Sequence, residues 1–407
     1  MRYKKEALKE INEVMPALIQ NLARKEGKAH PERRIETIKK IKTALDEMRE
    51  SVKRKHTEGA NGSTVSRMLS ENIDYLIQEL FTAYSTLFFG KNTNEAGINL
   101  SVVAIGGYGR SELQPFSDID IFFLFKESLK SAESNIVSSI VTALWDFGFE
   151  VGHVARTASE CIALIKSDLP SKTALIDSRF LLGNPDLYRE FKTRLTAEIT
   201  KNSVQSVIGF TLDELKTRHK KYGDTVFVAE PNIKEGVGGL RDYQSALWVS
   251  AAKFSTNTIE GLHTRGIIGS EEKRAVLEAV DFLLRVRNEL HFLNARREDT
   301  LLFEFQNKVA HLLGYGEEKE DIDRFVKDYF HHASTVAKFS RSTFHSCQTY
   351  KKFSPFTLLQ LKKKNLGSGF ERIGSLIFVK GYNPDIFKKD PVLLLDIFLL
   401  CQDKELT

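Results

Sequence analysis

One stretch constrains this chain more than any other: Gly106-Gly107-Tyr108-Gly109-Arg110-Ser111-Glu112-Leu113-Gln114-Pro115-Phe116-Ser117-Asp118-Ile119-Asp120. It joins two short apolar runs, residues 101–105 and 119–125, each with the length and character of a buried strand. Residues two apart in a strand face the same way, with Cα atoms roughly 6.5–7 Å apart. Asp118 and Asp120 therefore place two carboxylates on one side of an otherwise apolar strand, where ionised groups are costly unless a cation pairs them. Two hard oxygen ligands this close suit Mg²⁺, with Mn²⁺ as the alternative ion. Paired ions about 3.5–4 Å apart stabilise both the attacking and the leaving oxygen in phosphoryl chemistry.

The glycines meet a different need. Without side chains, Gly106 and Gly107 let backbone amides approach a phosphate closely, and a helix beginning near Tyr108 would aim its positive end there. Arg110 and Ser117 would add charge-assisted and hydroxyl contacts. A lone glycine pair is usually a turn, and a lone Asp-x-Asp usually a solvated strand end. Here Asp118 follows Gly107 by eleven positions with strands on both sides, and the combination points to a metal-dependent site for a phosphorylated ligand.

At 407 residues the chain is long enough for two or three domains. Its net charge of +5, from 59 basic and 54 acidic residues, permits a phosphorylated ligand. It does not argue for the concentrated basic face that nucleic acid requires, so no nucleic-acid partner is expected. Cys161, Cys347 and Cys401 lack zinc-ligand spacing and read as reduced, mostly buried thiols. The charged N-terminus has no signal-peptide stretch, and the apolar run at 391–401 is interrupted by Asp396 and too short for a bilayer. A cytoplasmic protein with no membrane partner is expected.

Periodicity divides the chain into four parts. Residues 1–95 read as a helical region, with a clean stripe at Val65, Leu69, Ile73, Leu76, Leu80 and Tyr84. Residues 96–190 carry the strands, including a third at 149–156 and a strand or helix at 173–182. Residues 191–350 are helical except for a glycine-rich, charged loop at 230–242, and 351–407 reads as a further helical segment. The fold class is α+β, a β-sheet flanked by helical regions. Lys234, Arg241 and Asp242 in the loop could close over a nucleotide, with Glu230 and Asn232 on base or ribose. Arg285, Arg287, Arg296 and Arg297 could gather around phosphate or an acidic partner surface, but spread along a helix they read more simply as a solvated face with intrahelical ion pairs. Trp145 and Trp248 lie in apolar stripes and read as core. His331-His332 reads as a solvated or packing pair rather than a metal site.

The Gly-Gly to Asp-x-Asp segment resembles the signature of the polymerase-β-type nucleotidyltransferase superfamily. The fuller string GGYGRSELQPFSDIDIFF is similar to bacterial protein-PII uridylyltransferase/uridylyl-removing enzymes. Three later segments match them in order: EVGHVART from Glu150, the loop EPNIKEGVGGLRD from Glu230, and Arg285-Val286-Arg287 followed by Arg296-Arg297-Glu298-Asp299 and Leu301-Leu302-Phe303. The resemblance covers about residues 59–344. It implies a mixed β-sheet polymerase-β-type domain followed by a helical domain, and Mg²⁺ at the catalytic Asp118 and Asp120. UTP would be the donor, held by Gly106, Gly107, Arg110, Ser117, Lys234 and Arg241, and a tyrosine of a PII-type nitrogen signalling protein the acceptor. The alternatives are adenylyl transfer to another protein and a nucleotide-sensing module that has lost catalysis.

Two departures from the family pattern matter. Superfamily members bring a third carboxylate from a neighbouring strand, and here that place falls on Gly152; Glu150 and Asp177 are the open substitutes. The chain also contains no His-Asp dipeptide, so the metal hydrolase domain of full-length relatives is not seen. The reading expects no hydrolase activity from this chain, with 351–407 leading toward a missing or absent hydrolase domain.

Overall fold

The computed structural model describes residues 15–20, 22, 31–90, 97–128, 130–167, 169–349, 363–367, 369–373, 376–379 and 386–401. They form two units, Met1–Gln348 and Thr349–Thr407.

In the first unit, helices α1 (Pro31–Thr57) and α2 (Gly62–Phe89) precede the sheet. The α2 stripe read from sequence is buried along its whole length, from Val65 to Tyr84. Strand β1 (Leu100–Ala104) leads through the single helical turn α3 (Gly106–Gly109) to β2 (Ile119–Phe125). Helix α4 (Ser131–Asp146), strand β3 (Val151–Thr157), helices α5 (Ala158–Ser167) and α6 (Leu169–Ile176), and strand β4 (Arg179–Gly183) follow. The 173–182 stretch is thus a helix end and then a strand. The sheet order is β3-β2-β1-β4, with β1 antiparallel to both β2 and β4, and β2 parallel to β3.

Apart from Asp120, β2 is apolar because both of its faces are covered. Ile119, Ile121 and Phe123 pack with α2 and α4, including Leu76, Phe81 and Ile140. Phe122 and Leu124 pack on the other face with Phe191, Trp248 and residues of α5. Each fully buried phenylalanine contributes about 1.5–3 kcal/mol, enough to pin the strand register. Side-chain parity then puts Asp120 on the face of Phe122 and Leu124.

After α7 (Pro185–Ala197) and a π-helical turn, the unit is helical: α8 (Val204–Lys221), α9 (Leu240–Phe254), α10 (Ile259–Thr264), α11 (Ser270–Asn294), α12 (Phe303–Leu312) and α13 (Lys319–Thr349). Leu240, Leu283, Leu290, Val309, Phe325 and Phe339 close a second core. The glycine-rich loop is pinned to that core by fully buried Ile233. Gly238 has φ +75°, and a Cβ there would lie 2.1 Å from the Ala333 carbonyl oxygen, so only glycine fits.

Two expectations need correction. Trp145, read as core, is 54% exposed, because α4 turns its apolar stripe inward through Ile136, Ile140 and Leu144 and leaves the tryptophan outside it. The 351–407 stretch, read as helical, carries a three-stranded antiparallel sheet, β5 (Lys363–Gly367), β6 (Phe370–Ile373) and β7 (Leu376–Val379). These strands are four or five residues long, too short for alternation to register. Helices α14 (Ile386–Lys389) and α15 (Leu393–Cys401) follow them. No helix among the described residues is long and apolar enough to cross a membrane.

Candidate active site

The carboxylates stand where β2 begins. Ile105 N donates to the Asp120 carbonyl at 3.1 Å, joining the ends of β1 and β2 beneath the glycine turn. Gly106 adopts φ +57°, and a Cβ there would sit 3.4 Å from Asp120 Oδ2. The turn therefore lies against the carboxylate. The Asp118 side chain is 47% exposed, and Asp120 is half-buried. Burial, and next the Asp118 charge, push Asp120 up to about 6 despite Lys234 and Arg297 nearby. A desolvated carboxylate beside a second one is an arrangement that a divalent cation relieves.

Neither substitute for a third carboxylate joins the pair. Asp177 Oδ2 accepts from Arg110 Nη1 at 2.6 Å and from Trp248 Nε1 at 2.9 Å, which makes it the buried counter-ion of Arg110. Glu150 is exposed and borders a separate cavity of about 240 Å³ with Phe116 and Arg49. Gly152 is in register with Asp120, and a Cβ on it would lie 2.3 Å from Asp120 Oδ1. The Asp120 carboxylate thus leans into the space a side chain at 152 would fill. Among the described residues, no group of three or more acidic, histidine or cysteine side chains has metal-site geometry. Two carboxylates still fit Mg²⁺, which commonly takes one or two from protein and completes its shell with water and substrate phosphate.

A cleft of about 490 Å³ opens over the carboxylates and brings together Gly106, Gly107, Arg110, Ser117, Asp118, Asp120, Lys234, Arg241 and Arg287. Its far wall is cationic. Burial, reinforced by Arg287 and Arg241, pushes Lys234 down to about 8. Arg241 lies over the Trp248 ring, 5.4 Å from its centroid, and donates to Gln244 Oε1 at 3.0 Å. Arg287 Nε is held by Asp299 Oδ1 at 2.6 Å, and Arg297 reaches within 3.8 Å of Asp118 Oδ1. The set can take a polyanion at the cationic wall with its reacting phosphorus toward the carboxylates.

Several readings from sequence change here. Arg287 is buried and lines the cleft, and Arg297 faces Asp118, so these two are not a solvated helical face. Chain reversal after α11 folds 295–299 back toward β2, which helical periodicity cannot register. Arg110 lines the cleft, but Glu112 at 2.6 Å and Asp177 already take its charge. Ser117 Oγ accepts from Gln114 N at 3.1 Å, bracing the turn before Asp118. Glu230 caps Phe303 N at 2.9 Å, and Asn232 Oδ1 caps Lys234 N and Glu235 N. Neither is engaged with the cleft. Asp242 is a brace, accepting from Arg218 at 2.8 Å, His219 at 2.9 Å and Gly238 N at 2.8 Å. Asp299 went unnoticed as a site residue because its partners, Arg287 and His291, come from another element. Phe210 and Trp248 also line the cleft, and nothing in their apolar surroundings announced it.

A small mixed sheet with a glycine turn feeding an Asp-x-Asp strand, flanked by helices, defines a polymerase-β-like nucleotidyltransferase domain. Two family models match the chain: GlnD PII-uridylyltransferase over residues 210–344 and glutamate-ammonia ligase adenylyltransferase (GlnE) over residues 2–143. The chain is 31% identical over 376 residues to the bifunctional uridylyltransferase/uridylyl-removing enzyme of Phenylobacterium zucineum, covering 90% of this chain and 40% of that one. It is 32% identical over 385 residues to the enzyme of the same description from Caulobacter vibrioides, covering 92% and 41%. For Rhodospirillum rubrum the figures are 32% over 378 residues, covering 91% and 40%. The chain spans about two fifths of the length of the curated relatives it matches. Over these stretches the chain is similar to the GlnD/GlnE nucleotidyltransferases, with a GlnD-type match in its helical part and a GlnE-type match that takes in the aspartate strand.

Proposed function

We propose that this chain transfers UMP from UTP to a tyrosine of a PII-type nitrogen signalling protein in the cytoplasm. The observation that carries the reading is the opposition of Asp118 and Asp120 to the Lys234, Arg241 and Arg287 wall across one cleft. The GlnD match over residues 210–344 supports the uridylyl donor and the PII-type acceptor, because it spans the loop and helices that build that wall.

In this reading Lys234, Arg241 and Arg287 hold the triphosphate, and Gly106 and Gly107 allow its close approach to the turn. A divalent cation held by Asp118 and Asp120 would offset phosphate charge and favour loss of the acceptor's phenolic proton, whose unassisted pKa is about 10. The phenolic oxygen bonds to the α-phosphorus, the α–β bridging P–O bond breaks, and pyrophosphate leaves with the electron pair. The phenolic proton ends in solvent. The low-dielectric cleft strengthens each of these charge contacts.

Purified protein with Mg²⁺, a PII-type acceptor and α-labelled UTP is expected to label the acceptor. Asp118→Asn with Asp120→Asn is expected to lower the rate by about a thousandfold, the several kcal/mol that a cation contributes at a phosphoryl centre. Label transfer from ATP alone, or an unchanged rate in the double variant, overturns the reading. The GlnE match over residues 2–143 favours adenylyl transfer as the second reading, and the same comparison of UTP with ATP separates the two.

A further inference from the structure

Among the described residues β3 pairs with β2 alone, which leaves its other side as an edge. Ile119 N donates to Glu150 O at 2.8 Å, and the parallel register continues that pattern. Even-numbered residues of β3 therefore bond to β2, while Val151, His153 and Ala155 turn their N–H and C=O groups outward. Gly152, His153 and Ala155 are exposed. Proline, lysine and bulges usually blunt such an edge, and residues 151–155 contain none of them.

The two faces of this edge differ. On the face covered by α4, exposed Trp145 meets His153 edge-on at 5.9 Å between centroids, an aromatic shelf of the kind that anchors protein interfaces. On the opposite face Gly152 presents no side chain, and the Asp120 carboxylate leans over it. The edge is thus continuous with the candidate active site.

We propose that the β3 edge receives an extended segment of the acceptor protein as an added strand, with its hydroxyl-bearing side chain directed across Gly152 toward Asp120. This rests on the nucleotidyl-transfer reading above. A row of outward N–H and C=O groups is complementary to a peptide backbone, not to a nucleotide. Alternation along the added strand sends one set of side chains onto Trp145 and His153 and the other across Gly152. The added strand lies two strand spacings from β2, roughly 9.5 Å. A hydroxyl at the end of a long aromatic side chain spans most of that gap, whereas a serine or threonine hydroxyl does not. The edge therefore selects a tyrosine in an extended loop, and a side chain at 152 would obstruct its path.

The test uses the full chain with Mg²⁺, UTP and the PII-type acceptor. Ala155→Pro removes an outward N–H without removing a bond to β2, and Trp145→Ala removes only exposed surface. Each is expected to raise KM for the acceptor about tenfold, the value of one interface anchor, with Kd for UTP within about twofold of wild type. Acceptor binding is also expected to slow amide exchange at Val151, His153 and Ala155 in the wild-type protein. If the wild-type protein transfers UMP while both variants keep their acceptor KM and those amides stay unprotected, the edge is not the docking site. If the wild-type protein neither binds UTP nor transfers UMP, the underlying reading falls instead. A weakened UTP Kd in Trp145→Ala would assign the shelf to the nucleotide and overturn the proposal.

Discussion

On one side of the cleft, Asp118 and Asp120 stand at the start of a central strand, within fourteen positions of the glycines they work beside. On the other, Lys234, Arg241, Arg287 and Arg297 come from a loop, two helices and a chain reversal, spread over more than sixty positions. Among the described residues the carboxylates have no ion-pair partner except Arg297 at 3.8 Å, and Asp120 is pushed up to about 6. The cations are braced: Asp299 holds Arg287, and Asp242 fixes the loop through Arg218, His219 and the Gly238 amide. The sheet gives its charged groups position but little neutralisation; in the helical wall Asp299 neutralises Arg287, whereas Lys234 stands buried among other cations. Charge left uncompensated marks where a ligand must supply the counter-charge, whereas charge already paired marks what holds the frame.

That contrast can be broken in order of size. Asp242→Ala takes its nearest carboxylate from the buried Arg218 guanidinium, leaving only Glu214 at 3.3 Å and Glu235 at 3.7 Å, and strips the acceptor from His219 and the Gly238 amide. It is expected to cost about 3 kcal/mol of stability, read as a lower midpoint in urea unfolding. A loss under about 1 kcal/mol would show that the helical wall does not depend on this brace. Next, Gly152→Ala forces the Asp120 carboxylate aside and is expected to lower kcat by about ten- to hundredfold, as small misplacements at a reacting centre do. Because Gly152 lies on an exposed edge, its urea midpoint should barely move, so a large stability loss would remove the distinction drawn here.

The smallest effect concerns protons. Lys234 is pushed down to about 8, faced by Arg287, Arg241 and Arg297 on one hand and by Asp299 and Glu235 on the other. It is charged below that pH and neutral above it, so kcat/KM for the nucleotide is expected to fall toward about a tenfold loss per pH unit above 8. A bound triphosphate stabilises the charged form, so kcat should fall at a higher pH than kcat/KM. Lys234→Arg is expected to flatten the decline, and an unchanged slope in that variant would assign the titration to another group.

These contrasts also explain what could be read in advance. The glycine turn, both strands around it and the α2 stripe depend on spacing within one or two elements, and periodicity carries that information directly. Lys234 and Arg241 stood out through the charged, glycine-rich loop EPNIKEGVGGLRD, whose resemblance to the uridylyltransferase loop tipped a reading that composition alone left open. Arg287 did not, since a basic residue on a helix gives the same pattern whether it faces water or a cleft. Trp145 failed in the opposite sense, as an aromatic residue beside an apolar stripe that the helix leaves outside. Glu230 and Asn232 looked suited to a ligand and instead cap backbone amides, a local use that composition cannot separate from binding.

By itself the sequence determined the paired aspartates, the side chains flanking them and the class of chemistry they permit, because strand alternation and turn geometry are short-range properties of the backbone. Only the tertiary structure decided which cations face those aspartates, that Asp177 serves Arg110, and that Asp120 leans over Gly152 at the sheet edge. Those relations join residues tens to hundreds of positions apart, and side-chain packing between elements, not any local preference, sets the distances.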